Sequence, residues 1–502
     1  MNESRRIGII DQTLRDGPQS LWGGYPAASE AAHSLELIAN AGYDVIDLWG
    51  AGAIPPLIRR GIEPWEALDF FVERLDATGP NPRNVLRAAQ RTITAAGFMP
   101  APIPVLELTV QTVVKHGVRS FWLYDCLFDM PEMERMVKIV QDAGGIPVPA
   151  VMYGLTSVHD DAFFADRVRQ MASWPGVESI YVEDAPGILT QERAATLLPA
   201  LRAAAGESVK LEAHFHNTTG LAPHNYITAM RAGFDSVHTA SRPLANGPSL
   251  PSTEAMTTVI DHLGYTHSVD TATLPTVAAN FEETIRRTGK RLGVPNEYDP
   301  RIYDHQLPGG MTGSLIRQLA QNGMSDRFDE VLASIPQVRR DLGEPIMATP
   351  FSQLVGVQAT LNIITGDPYS MVADEIIHFA LGHYGPLAAP MNPEVADRIL
   401  SSQRARELST WERPDTSIKE LRRIHGLTIS DEELLSRFFA SDEMVDKVLA
   451  DRRPLLADPR RSASEIVNNA VDLIAERRRV TSFSVRTADY SIELGKRSDA
   501  DV

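Results

Sequence analysis

The chain has 502 residues, of which 43% are hydrophobic and 23% are charged, and its formal net charge is -17. This length allows two domains and a large buried core. The acidic balance argues against nucleic acid or an anionic membrane as the main partner. Cys126 is the only cysteine, so no intramolecular disulfide can form and we expect a reducing, cytoplasmic location. Neither a signal peptide nor a run of about 18 apolar residues is evident, so we expect no membrane insertion.

Short apolar runs alternate with helical patterns through the first half of the chain. The candidate strands are Ile7–Ile10, Val45–Trp49, Val85–Arg87, Ser120–Tyr124, Val148–Tyr153, Ser179–Val182, Val209–His214 and Ser236–Thr239. The segments between them place apolar residues at helical spacing, as in Ala28–Ala41 and Gln191–Ala204. Eight such units over roughly 250 residues are typical of a (β/α)8 TIM barrel. The first strand is not followed by a glycine-rich phosphate motif, which disfavours a doubly wound open sheet.

From about residue 271 the pattern becomes mainly helical. It ends in two strand-like runs, Ser482–Val485 and Tyr490–Leu494. We therefore predict a barrel domain over residues 1–270 and a mainly helical C-terminal domain over residues 271–502. No low-complexity linker separates them, so we expect the second domain to pack on the barrel.

Polar side chains follow several of the predicted strands. His214 and His216 end the seventh strand, and because side chains alternate along a strand, both imidazoles face the same way. Asp16 follows the first strand and Glu183 ends the sixth. Active sites of such barrels lie at the C-terminal ends of the strands. Two imidazoles and two carboxylates there predict a divalent-metal site of the Zn, Mn or Co type.

Other polar residues at the same end have simpler interpretations. Arg87 ends the third strand and could pair with a neighbouring carboxylate, and Asp125 after the fourth could form a turn. Cys126 is interpreted as a packed small hydrophobic residue and not as a nucleophile.

Several motifs resemble the carboxyltransferase subunit of transcarboxylase, the carboxyltransferase domain of pyruvate carboxylase and the alpha subunit of oxaloacetate decarboxylase. The matching segments are Asp11–Ser20, Leu86–Gln90, His214–Gly220, Pro251–Glu254, His305–Met311 and Pro350–Val357. The resemblance covers nearly the whole chain. It implies that Asp16, His214 and His216 bind a metal. It also implies that Arg15, Gln19 and Arg87 hold a 2-oxo acid and take part in catalysis.

The chain departs from that family at two positions that matter for chemistry. The fourth metal ligand of the family is a lysine carbamate, and Glu183 stands in its place, offering a carboxylate that needs no carbon dioxide. The resemblance also implies a threonine hydroxyl that exchanges a proton with biotin. Pro248 occupies the aligned position, so Ser249 beside it is the candidate substrate-binding hydroxyl.

The surviving residues favour chemistry through the enolate of a 2-oxo acid. The first interpretation is a carboxyltransferase or decarboxylase acting on a pyruvate-like or oxaloacetate-like acid. Biotin would come from a carrier subunit on another chain, since this chain lacks the Met-Lys-Met biotinylation signal. The alternative is a biotin-independent metal-dependent lyase or aldolase resembling 3-hydroxy-3-methylglutaryl-CoA lyase, and the third is a scaffold subunit without activity. The related subunits also imply a homodimer.

Overall fold

The computed structural model describes residues 4–75, 84–321, 323–451, 455–456, 482–486 and 491–495. The chain divides into two compact units, Met1–Leu455 and Leu456–Val502. The first unit contains a barrel and a helical region. The division into domains after residue 270 stays a prediction.

Eight parallel strands form a closed barrel in chain order. They are β1 (Gly8–Asp11), β2 (Val45–Gly50), β3 (Leu86–Arg91), β4 (Ser120–Tyr124), β5 (Ile146–Met152), β6 (Ser179–Asp184), β7 (Lys210–Phe215) and β8 (Ser236–Thr239). Strand β1 pairs with both β2 and β8, and this second pairing closes the barrel. The predicted fold class is confirmed, and the strand ends differ from the predicted ones by only a few residues.

Helices surround the barrel. They are α1 (Asp16–Trp22), α2 (Ala28–Asn40), α3 (Ile54–Arg59), α4 (Pro64–Arg74), α5 (Ile103–Lys115), α6 (Met130–Asp142), α7 (Asp161–Ser173), α8 (Gln191–Ala205), α9 (Ala222–Ala232) and α10 (Thr253–His262). Several begin where a side chain accepts a hydrogen bond from the backbone N–H three residues later, as at Asp129, Asp160, Thr190 and Ser252. Such caps satisfy backbone donors that the first turn leaves free.

The region after the barrel is helical, as predicted. Its helices are α11 (Leu274–Thr288), α12 (Ile302–His305), α13 (Gly309–Gln321), α14 (Phe328–Asp341), α15 (Phe351–Thr365), α16 (Asp374–Ala380), α17 (Pro393–Leu400), α18 (Gln403–Leu408), α19 (Ile418–His425), α20 (Asp431–Phe439) and α21 (Asp442–Asp451). Within the described residues, no helix is both long and apolar enough to cross a membrane.

The helical region contacts the barrel helices directly. Trp65 of α4 donates from Nε1 to the carbonyl oxygen of Glu432 in α20 at 2.9 Å. Lys115 at the end of α5 forms an ion pair of 2.6 Å with the Glu432 side chain. In the second unit, β9 (Ser482–Arg486) and β10 (Ser491–Gly495) form an antiparallel pair, where the two strand-like runs were predicted.

The segment Pro308-Gly309-Gly310 requires glycine because it passes close to the loop after β8. A Cβ atom on Gly309 would lie 1.9 Å from the Cβ atom of Pro248, and one on Gly310 would lie 3.3 Å from the carbonyl oxygen of Gln19. This close approach brings the start of α13 over the C-terminal end of the barrel.

Gly309→Ala should therefore lower the free energy of unfolding by about 1–3 kcal/mol, because the added methyl group overpacks this contact. The matched control is Gly356→Ala in α15, where an added Cβ would meet no atom within 4 Å. The control should be neutral or slightly stabilising, since alanine favours a helix. Urea unfolding checks both variants, and equal stability of the two would contradict the close approach.

Candidate metal centre

Asp16, His214 and His216 converge at the C-terminal end of the barrel. Each offers one ligand atom, and these atoms all lie within 4.8 Å of one another. Nε2 of His214 is 3.3 Å from Oδ2 of Asp16, and Nε2 of His216 is 3.7 Å from Oδ1. The two Nε2 atoms are 3.2 Å apart. This is the only such cluster among the described residues, and its donors suit Zn, Mn or Co.

The protein environment orients these three side chains as metal ligands. Nδ1 of His216 donates to the carbonyl oxygen of Pro248 at 2.7 Å. Because a carbonyl oxygen can only accept, the ring proton lies on Nδ1 and Nε2 keeps its lone pair. Ser20 donates to Oδ1 of Asp16 at 2.7 Å, and Arg15 pairs with Oδ2.

Electrostatics keep the donors in the forms that bind metals. Burial alone would raise the pKa of Asp16, but Arg15 and the two histidines outweigh it and hold this pKa well below its usual range. Burial also lowers the pKa of His214 well below its usual range, so the imidazole is neutral. An anionic carboxylate and a neutral imidazole are the states that coordinate a metal.

Glu183, the predicted fourth ligand, faces the same cavity but stands outside the cluster of three. Its carboxyl group is buried, and Oε2 has no hydrogen-bond partner in the described structure. Burial raises the pKa of Glu183 to about 8. A buried carboxyl group without a partner is one that a cation in the cavity would stabilise. Ligation by Glu183 therefore stays a prediction.

A cavity of about 220 Å³ lies beside the three ligands. Residues of the barrel form its lower wall, among them Arg15, Gln19, Trp122 and Tyr124. The helical region forms the opposite wall, and the residues it contributes are Pro308, Gly310, Met311, Ala348, Thr349 and Gln353. Most of these come from the two motifs in the second half of the chain, so the structure brings those motifs to the site.

Arg15 and Gln19 keep polar atoms for a ligand. Both side chains line the cavity. Nε of Arg15 and Oε1 of Gln19 are buried and have no hydrogen-bond partner among the described residues. The structure thus brings these two predicted residues to the metal ligands.

An aromatic stack supports this wall of the cavity. Ring centroids are 4.7 Å apart for Tyr124 and Trp122, 4.7 Å for Trp122 and Tyr181, and 5.0 Å for Tyr181 and His214. The guanidinium carbon of Arg15 lies 4.8 Å from the centre of the Trp122 ring. Sequence reasoning missed this stack, although the spacing of Trp122 and Tyr124 places both on one face of β4.

The structure does not bring Arg87 to the cavity, where the sequence-based expectation had placed it. Its Nη1 and Nη2 atoms pair with the two carboxylate oxygens of Glu212, the second at 3.0 Å. Its Nε atom donates to Ser120 at 3.0 Å. All three guanidinium nitrogens therefore have protein partners. Glu212, which sequence reasoning missed, lies two residues before His214 on the same face of β7.

Ser249, Asp125 and Cys126 also lie outside the ligand cluster. Ser249 is buried and donates to the carbonyl oxygen of Leu244 at 2.7 Å. Asp125 accepts from the backbone of Leu127 at 2.8 Å, which is the contact of a turn former. Burial raises the pKa of the Cys126 thiol well above its usual range, consistent with a packed side chain.

Two family models match the chain, one described as HMGL-like over residues 127–280 and one described as a conserved carboxylase domain over residues 302–475. A pyruvate carboxylase subunit of Methanocaldococcus jannaschii is 32% identical over 397 residues, which are 78% of this chain and 68% of that protein. The methylmalonyl-CoA carboxyltransferase 5S subunit of Propionibacterium freudenreichii is 28% identical, covering 87% of this chain and 86% of the relative.

Solved structures agree on the fold. The carboxyl transferase domain from Rhizobium etli pyruvate carboxylase, solved with pyruvate, superposes with a TM-score of 0.79. The match covers 90% of this chain and 78% of that one, at 20% identity. Fold, site and relatives together define an enzyme of the barrel-type carboxyltransferases. The chain belongs to the same family as the pyruvate carboxylase subunit of Methanocaldococcus jannaschii.

Arg87→Ala should lower the free energy of unfolding by about 3–5 kcal/mol, because it leaves the Glu212 carboxylate buried without its partner. The double variant Arg87→Met with Glu212→Leu removes both charges and should recover most of the loss. Chemical unfolding of the metal-free proteins checks this. An Arg87→Ala protein as stable as the wild type, with weaker substrate binding, would return Arg87 to the substrate site.

Proposed function

We propose that the chain binds one divalent metal through Asp16, His214 and His216, with Glu183 as the fourth ligand, and acts on a 2-oxo acid. The convergence of the first three residues beside a polar cavity carries this proposal. A divalent metal bound there would supply Lewis acidity toward the substrate's carbonyl oxygen. Zinc, manganese and cobalt all suit the donor set.

Arg15 and Gln19 are proposed to hold the 2-oxo acid. Arg15 is fixed by its pairing with Asp16 and by its position over the Trp122 ring. A guanidinium so placed can bind the substrate carboxylate, and the amide of Gln19 can bind a second polar group. When the bond from carbon three to a carboxyl group breaks, its electron pair delocalises onto the carbonyl oxygen. Fixed positive charge beside that oxygen lowers the cost of this step.

Biotin carried by a separate subunit is the proposed acceptor or donor of the carboxyl group. The relatives named above are a pyruvate carboxylase subunit and a methylmalonyl-CoA carboxyltransferase subunit. One similar structure, of the Rhizobium etli carboxyl transferase domain, was solved with pyruvate and biocytin. A biotin-independent lyase is the second candidate, and the HMGL-like match over residues 127–280 supports it.

We also propose a homodimer. Helix α15 exposes Val357 and Ile364, which are 39% and 51% accessible, and the partly buried Leu361 lies between them at helical spacing. An apolar row of this kind supports association of two copies. Sedimentation velocity would contradict the proposal by showing a single copy at micromolar concentration. The cytoplasmic location stays a prediction.

The metal-loaded protein should release pyruvate from oxaloacetate, and free biotin should raise the rate. Asp16→Asn should reduce the rate to background, because it weakens the metal site and the anchor of Arg15 together. Coupled pyruvate detection checks this, with metal analysis of each sample as the control. Release that is indifferent to biotin would favour the lyase. The absence of release from every 2-oxo acid tested would contradict the proposed function.

Glu183→Gln should lower metal affinity about 10- to 100-fold, the range seen for groups that support a metal site. The matched control is Glu178→Gln, at an exposed position before β6. Equilibrium dialysis with zinc checks the pair. Unchanged affinity would place Glu183 outside the ligand set. Glu183→Lys should bind metal more tightly with bicarbonate present, and indifference to bicarbonate would contradict its alignment with the family's lysine.

A further inference from the structure

A continuous row of polar side chains extends from the metal ligand His214 into the barrel. Nδ1 of His214 is 3.2 Å from Nδ1 of His238, and Nε2 of His238 is 3.1 Å from Oε2 of Glu212. Glu212 in turn pairs with Arg87, as described above. All four side chains are buried, and His238 is completely inaccessible. The row thus joins β7, β8 and β3 beneath the ligand cluster.

The contacts of His238 determine which of its nitrogens carries the proton. The side-chain nitrogen of Gln12 donates to Nδ1 of His238 at 2.9 Å, so Nδ1 is an acceptor. Burial lowers the pKa of His238, which keeps the ring neutral with a single proton. That proton therefore lies on Nε2, where the Glu212 carboxylate accepts it.

Glu212 is held as an anion for this contact. Burial opposes its ionisation, but Arg87 and His238 outweigh burial and keep the pKa of Glu212 well below its usual range. Ser179 adds a further hydrogen bond to Oε1 at 2.7 Å. The carboxylate can then only accept, which fixes the His238 proton on the nitrogen that faces it.

This arrangement decides the state of His214. A lone pair on Nδ1 of His238 faces Nδ1 of His214 from 3.2 Å. If Nδ1 of His214 also carried a lone pair, the two would repel at that distance, so a proton is favoured there. The hydroxyl oxygen of Tyr181, at 2.5 Å, can accept the same proton. Nε2 of His214 then keeps the lone pair that faces Asp16 and His216.

We propose that His238 is a positioning residue for the metal centre: held by Glu212 and Arg87, it fixes the proton of His214 on Nδ1 and leaves Nε2 free to bind the metal. The inference rests on the proposed metal site. It gives Arg87 a role at the centre through Glu212 and not through the substrate.

The test measures zinc affinity, without substrate, by competition with a chromophoric chelator. His238→Phe removes the acceptor and should weaken zinc binding about 10- to 100-fold. His238→Asn places an acceptor oxygen near the position of Nδ1 and should restore affinity to within about threefold of wild type. The matched control is His378→Phe, since His378 is also buried and also contacts a histidine, His383 at 2.7 Å, away from the ligand cluster. It should leave the affinity unchanged.

The cobalt-substituted protein gives a second readout, because its visible absorption bands report ligand geometry. The bands should shift in His238→Phe and not in His378→Phe. Wild-type zinc affinity and unshifted bands in a folded His238→Phe protein would overturn the inference. If that variant does not fold, Glu212→Gln keeps the side-chain size and should weaken zinc binding about tenfold, and unchanged affinity would overturn it. A wild-type protein that binds no zinc or cobalt would instead overturn the proposed metal site, and this inference with it.

Discussion

The site depends on the closure of the barrel between β1 and β8. Asp16 follows β1 and the two histidines end β7, so only this pairing brings the carboxylate within 3.3 Å of an imidazole nitrogen. Burying such charges is costly unless each one is paired. Arg15 and Ser20, one on each side of Asp16 in the sequence, supply this pairing from the same turn of chain. The fold and the proposed chemistry therefore share one constraint.

Two polar layers occupy the interior of the barrel. The upper layer contains the ligand cluster and the cavity, and Glu183 and Gln19 keep unpaired atoms there. The lower layer contains Arg87, Glu212 and His238, and their hydrogen bonds are satisfied within the protein. The upper layer is thus available to ligands, while the lower one holds His214 in place. The helical region completes the upper layer with Pro308 and Met311.

Sequence patterns predicted most of the barrel, because strands buried in a parallel barrel are apolar runs of regular length separated by amphipathic helices. The pair His214 and His216 was predictable for the same reason, since alternation alone places both rings on one face. The partner of Arg87 was not. Glu212 lies 125 residues away in the sequence, and only the closed barrel places the two side chains opposite each other. The cavity wall formed by the second half of the chain depends on tertiary packing in the same way, as the close approach of Gly309 to Pro248 shows.

The most direct test of the account is anomalous diffraction from crystals of the protein grown with zinc. The account predicts one strong peak within bonding distance of Asp16, His214 and His216, with the Glu183 carboxylate turned toward it. A peak elsewhere, or no peak at these three residues in metal-loaded crystals, would contradict the central claim that they form a metal centre.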